Sequence, residues 1–196
     1  MNAIQKRYNR MARFYDVLEY PMESGFSNWR KELLSQAEGK TLEVGIGTGK
    51  NIPHYPTGIE LTGIDFSPKM IEIAGKKAQN YDNVSLHVMD AESMDFEDNS
   101  FDTVVTSCVF CSVPNPVQGL KEIRRVCKKD GKVLMLEHVR SNNKVIGKMM
   151  DIANPLPLHI YGANINRQTY ENLLKAGFNP QDVKVTDLWF DIVKRI

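Results

Sequence analysis

Short apolar runs and amphipathic stretches take turns along the middle of the chain. Residues 41–44, 61–65, 84–89, 101–106 and 132–138 read as five strands. The fourth has the β-branched content of a strand buried on both faces. Ser67-Pro68 is a helix start, with a capping hydroxyl and a proline at the first helical position. Behind it Met70, Ile71, Ala74 and Ala78 share one face. Pro114 and Pro116 open another helix, which carries Val117, Leu120, Ile123 and Val126. Such alternation predicts an α/β fold, a parallel sheet with helices on both faces. The pattern then loosens. We expect a helix over 145–153, another over 167–175 capped by Asn166 and closed by Gly177, a sixth strand over 183–188, and part of a seventh over 190–195. The chain stops inside an apparent strand, so either that strand is short or the natural terminus lies further on. Before the first strand, Met11, Phe14, Leu18, Met22, Trp29 and Leu33 roughly follow helical spacing, and Pro21 and Gly25 predict a division into two pieces.

The first strand runs into Glu43-Val44-Gly45-Ile46-Gly47-Thr48-Gly49. Alternate glycines let the backbone turn with positive φ and let a ligand lie against the main chain. Asp65 ends the second strand, where a doubly wound sheet holds a ribose hydroxyl. The stretch therefore predicts an adenosine-containing cofactor. A dinucleotide fingerprint would read G-x-G-x-x-G; here the spacing is G-x-G-x-G, with an acid two residues ahead. A buried acid suits a ligand carrying positive charge better than a pyrophosphate. The pattern resembles motif I of the class I S-adenosylmethionine (SAM) methyltransferases, and Asp65 falls where that family keeps its ribose-binding acid. An NAD(P)-dependent oxidoreductase is the alternative on a similar sheet.

The resemblance extends over nearly the whole chain. Tyr8-Asn9-Arg10-Met11-Ala12-Arg13-Phe14-Tyr15-Asp16 resembles the N-terminal segment of the ubiquinone/menaquinone-biosynthesis type methyltransferases, which folds over the SAM pocket. Asp90-Ala91-Glu92 is similar to the motif that meets the adenine, and Thr106-Ser107-Cys108-Val109 to the one beneath the sulfonium. Asp130-Gly131-Lys132 departs from the more usual Pro-Gly-Gly turn. Cys111-Ser112-Val113, Pro116 and Glu137-His138-Val139 resemble alkyl-thiol methyltransferase-like proteins and bacterial phospholipid N-methyltransferases. The resemblance implies a Rossmann-like, seven-stranded, mostly parallel sheet of order 3-2-1-4-5-7-6 with strand 7 antiparallel. It implies one domain over 1–196, with 1–36 as a helical cover over the cofactor and 141–166 as a substrate-side insertion. It implies SAM as cofactor, S-adenosylhomocysteine as product, and a cofactor site of Tyr8, Tyr15, Glu43, Gly45, Ile46, Gly47, Gly49, Asp65, Phe66, Met70, Asp90, Ala91, Glu92, Ser107, Cys108 and Val109.

Composition narrows the acceptor. The net charge of +1 lacks the basic excess of a nucleic-acid-binding face. Ser107-Cys108-Val109-Phe110 stands where base-methylating relatives carry an Asn-Pro-Pro-Tyr-like tetrapeptide, so no nucleic-acid substrate is expected. Three cysteines make no disulfide framework, and with no apolar run of membrane-spanning length the expected location is cytoplasmic. Lys6, Arg7, Arg10 and Arg13 beside an apolar stripe could lay the N-terminal segment on an anionic membrane surface, giving a peripheral location. The expected acceptor is a small or lipid-like thiol, amine or quinol. Methyl transfer mainly needs alignment and exclusion of water; where a proton must leave, His138 at the end of the fifth strand and Tyr15 are the candidate catalytic residues. His159 and Tyr161 could roof the substrate, while His54 and His87 read as packing or surface. Cys108 and Cys111 form a C-x-x-C without the second pair of a zinc site, so no metal is expected. Because no single catalytic residue is obligatory, a non-catalytic SAM-binding subunit is a further reading.

Overall fold

The computed structural model describes residues 3–13, 15–160 and 162–196, with side chains described for 4–13, 15, 26–160 and 162–196. Phe14 and Tyr161, and the side chains of Leu18 and Met22, lie outside that set. Seven strands make one sheet: β1 (Lys40–Val44), β2 (Glu60–Asp65), β3 (Val84–Val88), β4 (Phe101–Ser107), β5 (Cys127–His138), β6 (Thr186–Trp189) and β7 (Val193–Arg195). Their order is β3-β2-β1-β4-β5-β7-β6, with β1 to β5 parallel and β7 antiparallel to both neighbours. This is the Rossmann-like arrangement expected from the sequence.

Alternation along each strand sends side chains to two covered faces. Leu42, Val44, Val104 and Met135 pack on one face with Leu120, Ile123 and Val126 of α4 (Pro116–Val126) and Leu173 of α7 (Thr169–Lys175). Val105, Leu134, Leu136 and Val193 face the other way, onto Leu33 and Leu34 of α2 (Tyr15–Leu34). Further along that side, Ile71 and Ala78 of α3 (Pro68–Ala78) cover Ile46, Ile59 and Leu61. Ser67 caps α3 as expected by accepting the Met70 amide, and at the start of α4 Asn115 accepts the Gln118 amide.

Several expectations shift. The N-terminal break falls between α1 (Ala3–Met11) and α2, and α2 continues through Pro21 and Gly25. Its C-terminal half, with Phe26 and Trp29, is anchored on the sheet, and tertiary packing of that kind outweighs local helix breakers. Asn166 does not cap α7; its amide donates to Asp151, and the helix begins after Gln168 without a side-chain cap. Gly177, at φ +92°, closes that helix as expected. The seventh strand cannot begin at 190, because Phe190 and Asp191 both have positive φ and form the turn between β6 and β7. After α5 (Lys144–Ala153) comes a second helix that the prolines had hidden, α6 (Pro155–Ile160). Pro155 stands at its first position, where a proline costs no hydrogen bond.

The loop between β3 and β4 is clipped to α4 by one guanidinium. Arg125 donates to the Met94 and Phe96 carbonyls at 2.8 and 2.6 Å and to Glu122 and Asp98, while Glu122 accepts the Met94 amide at 2.7 Å. Removing the guanidinium strips two carbonyls of their partner together. Arg125→Met is expected to lower the unfolding free energy by roughly 2 kcal/mol in urea titration, whereas Lys76→Met, on the exposed side of α3, should leave the midpoint in place.

Candidate functional site

The carboxyl ends of β1, β2 and β4 meet around the glycine turn. Gly45 has φ +71°, and a Cβ there would fall 2.5 Å from Val109, so this position tolerates no side chain. Gly47 has φ +56°, and a Cβ built on it would meet nothing within 4 Å. The turn thus shows bare backbone to open space at Gly47, in the manner of a ligand cradle.

Asp65, at the end of β2, fastens this turn. Its Oδ2 accepts the Gly47 amide at 3.0 Å and its Oδ1 accepts the Ser67 amide at 2.8 Å. Burial raises its pKa to about 6, while the two amides pull the other way. Glu43 is 1% exposed, and burial lifts its pKa to about 7. The sequence suggested that this acid waits for a cationic ligand. Instead both its oxygens accept from the protein, from Asn51 Nδ2 at 2.6 Å and from the Tyr55 hydroxyl at 2.9 Å, and Arg30 lies close enough to favour its ionised form. A third carboxylate, Glu137 near the end of β5, is fully buried with a pKa raised to about 7 by desolvation. It accepts the Thr106 hydroxyl at 2.8 Å and the Val109 and Phe110 amides at 3.3 Å, and so holds the loop after β4. In the sequence Glu137 stood out only as part of the Glu137-His138-Val139 resemblance.

A cleft with about 750 Å³ of empty space, its open mouth included, lies over these ends. Its walls bring together Tyr8, Tyr15, Gly45, Gly47, Asp65 and Phe66 with Met70, Asp90, Ala91, Ser107, Cys108 and Val109. A second recess on the other side of the turn shares Tyr15, Gly45, Gly47, Ser107 and Cys108 and adds Glu43 and Ile46. Gly49 lines neither; a Cβ there would press on Ile52 and Ala74, so it serves the packing of α3. Glu92 also turns away, and accepts the Asn115 amide at 2.8 Å. His138 lies outside both recesses: its ring is hydrogen-bonded to the Ile165 backbone, its Nδ1 is buried without a partner, and desolvation lowers its pKa. His159 is exposed on α6.

Sequence reasoning missed one end of the cleft, formed by Ile4, Ser112, Val113 and Pro114. There the Tyr8 hydroxyl is hydrogen-bonded to Ser112 Oγ, and the Tyr8 ring packs edge-on to Phe66 with centroids 5.5 Å apart. Asn9 on the same helix bonds the Ser67 hydroxyl at 2.6 Å. The helical period of α1 was legible; its seat above the carboxyl ends of the strands depends on these long-range pairs. Cys108, at φ +54°, gives the loop a sharp bend, and Cys111 donates to its carbonyl at 3.2 Å.

The family described as "Methyltransferase domain" matches residues 42–135. A phosphatidylethanolamine N-methyltransferase of Cereibacter sphaeroides is 34% identical over 141 residues, 70% of this chain and 69% of the relative. A demethylmenaquinone methyltransferase of Staphylococcus aureus is 32% identical over 187 residues, 90% of this chain and 75% of the relative. Among solved structures, a phosphoethanolamine N-methyltransferase 2 of Haemonchus contortus with S-adenosylhomocysteine and phosphomonomethylethanolamine superposes with a TM-score of 0.72. It shares 20% identity, with 95% of this chain and 47% of that one covered. The chain belongs to the class I SAM-dependent methyltransferases. The site suits that donor: bare turn backbone at Gly47, a buried carboxylate 18 residues on, and a cleft lined by Ile64, Phe66 and Val109 as well as Asp65 and Asp90.

An ionised Asp65 accepts hydroxyl protons; a protonated one accepts them poorly. Affinity for S-adenosylhomocysteine is therefore expected to fall as pH drops through about 6. Isothermal titration should find it about tenfold weaker at pH 5 than at pH 7.5, and weak but pH-independent in Asp65→Asn.

Proposed function

We propose that this protein transfers the methyl group of SAM to the nitrogen of an amine-bearing, lipid-like acceptor. The observation that carries this is the end of the cleft beyond Cys108. It presents the Tyr8–Ser112 hydroxyl pair between the apolar Ile4, Val113 and Pro114, and none of these five residues is acidic, basic or imidazole-bearing. Such a lining suits an uncharged nucleophile on an apolar body and offers no strong base. An amine needs none for the transfer itself: its ammonium form first loses a proton to water, and the freed lone pair then attacks. The relative named as a phosphatidylethanolamine N-methyltransferase supports the same acceptor class.

In this reading Asp65 holds the ribose hydroxyls, and Asp90 with the Ala91 backbone meets the adenine. Ser107, Cys108 and Tyr15 flank the methionine portion. The bound donor supplies a methyl carbon made electrophilic by a positively charged sulfur. Tyr8 and Ser112 accept a hydrogen bond from the amine N–H and so point the lone pair into the cleft; the ammonium proton shed before transfer passes to water at the mouth. The apolar walls exclude water from the line of attack. The second half of the chain closes this end, since Arg167 donates to the Phe110 and Val113 carbonyls at 3.0 and 2.6 Å and the Asn164 amide donates to the Cys111 carbonyl at 2.7 Å. His138 has no part in the transfer.

The test is incubation with methyl-labelled SAM and, separately, phosphatidylethanolamine, a demethylated quinol, small amines and thiols. Label is expected in the amines, with Tyr8→Phe slowing transfer about tenfold and Gly47→Val, whose new side chain fills the cradle, abolishing donor binding. Label in the quinol alone would replace the amine reading with the activity named for the 32% identical relative. Donor binding without transfer to any acceptor would favour a non-catalytic subunit.

A further inference from the structure

On sequence grounds, membrane contact falls to the basic N-terminal segment. A different element carries the larger apolar surface. The Leu158 amide bonds the Asn154 carbonyl at 3.1 Å and the Asn154 amide bonds that of Met150 at 2.9 Å, and Asn154 itself is helical, so helical backbone carries on from α5 through Asn154 into α6. Val145, Met149, Ile152, Leu156 and Ile160 follow one another at spacings of four, three, four and four. At 100° per residue they form a single row. All five are open to solvent, from 47% to 73% exposed, while Gly147 and Met150 on the opposite side are buried. A helix that turns one apolar row to the core and a second one outward has been left a partner to find.

Two further observations say which partner. At the tip of the β6–β7 hairpin, Trp189 and Phe190 are 50% and 73% exposed, and Phe190 is held at φ +45°, a conformation costly for a bulky residue. Asp191 fastens this tip to the start of α5 by accepting from Ser141 Oγ at 3.0 Å and from the Asn142 amide. Two exposed aromatics therefore stand at the head of the apolar row. The border of the row is basic. Lys144 and Lys148 are exposed on α5, and the acid of that helix, Asp151, is gripped by Arg140 through bonds of 3.0 and 2.9 Å. Arg7 ties α1 to α6 through the Leu158 carbonyl at 2.7 Å, which sets the exposed Lys6 and Arg10 beside them. α1 contains no acidic residue.

We propose that the α5–α6 row, with the Trp189–Phe190 tip, seats on an anionic phospholipid bilayer. Apolar side chains enter the acyl boundary while Lys144, Lys148, Lys6 and Arg10 meet the headgroups. A second copy of this chain is the less favoured occupant, because a two-fold contact would bring the basic border against itself. Since α1 also lines the cleft, its mouth would open close to the leaflet. This goes beyond the choice of acceptor and is tested without it.

The protein is sedimented with vesicles of phosphatidylcholine alone and with vesicles rich in phosphatidylglycerol, without SAM and without any lipid that bears a free amine. The protein is expected to pellet with the anionic vesicles. Met149→Glu/Ile152→Glu should weaken that binding at least about tenfold, and Lys144→Glu/Lys148→Glu should remove the preference for anionic lipid. Both variants should keep the melting temperature and S-adenosylhomocysteine affinity of the parent, since the altered side chains are exposed. Parent protein left in the supernatant of anionic vesicles, or equal binding by the Met149/Ile152 variant, overturns the proposal. A parent dimer in size-exclusion chromatography that this variant converts to monomer, with no vesicle binding, would assign the row to a second copy instead. Failure of the methylation assay leaves every one of these outcomes readable.

Discussion

Three carboxylates buried at the carboxyl ends of neighbouring strands hold this site together. Burying an acid is costly unless its oxygens are met by donors. Here the donors come from the loops that must be placed: the Gly47 and Ser67 amides for Asp65, the Asn51 and Tyr55 side chains for Glu43, and Thr106 with the Val109 and Phe110 amides for Glu137. None of the three owes its first-named support to a salt bridge. Short amide and hydroxyl bonds fix loop position more tightly than flexible lysines could. The cost of desolvation appears as pKa values of about 6 to 7 in all three.

This lacing divides the cleft into a rigid part and an adjustable one. The side proposed for the donor is built from strand ends and the glycine turn, tied to the sheet through buried groups. The side proposed for the acceptor is built from α1, the Ser112–Pro114 stretch and the segment up to Arg167, which meet through long-range bonds such as Tyr8 to Ser112 and Arg167 to Phe110. A family that keeps one donor while its relatives are named for a phospholipid amine and a quinone precursor can do so on such a division.

The rigid half was readable in the sequence and the other half was not, for a physical reason. Glycines at 45 and 47, the acid at 65 and alternation in the strands are local consequences of backbone geometry, and local rules describe them. Strand order followed from the family resemblance and agrees with the sheet. Glu43 is buried as expected and its partners were missed, because Asn51 and Tyr55 carry no mark of facing an acid 8 and 12 residues earlier. His138 sits at the end of β5, but which way its ring turns depends on the Ile165 backbone, far along the chain. Pro21 and Gly25 pointed to a break in a helix whose continuity is secured by packing on β5 and β7 rather than by propensity.

The thiol beside the cleft has one more consequence. A methyl donor is an alkylating agent, and a nearby thiolate is at hazard of being methylated in the substrate's place. Cys111 lies behind the cleft wall, next to Ser112, its Sγ 3.6 Å from that hydroxyl. Loss of solvent and the charge of Glu137 push its pKa up to about 11. At neutral pH only about one molecule in ten thousand then carries the reactive thiolate. Burial, helped by the carboxylate that positions the β4 loop, keeps this sulfur chemically quiet beside the end of the cleft.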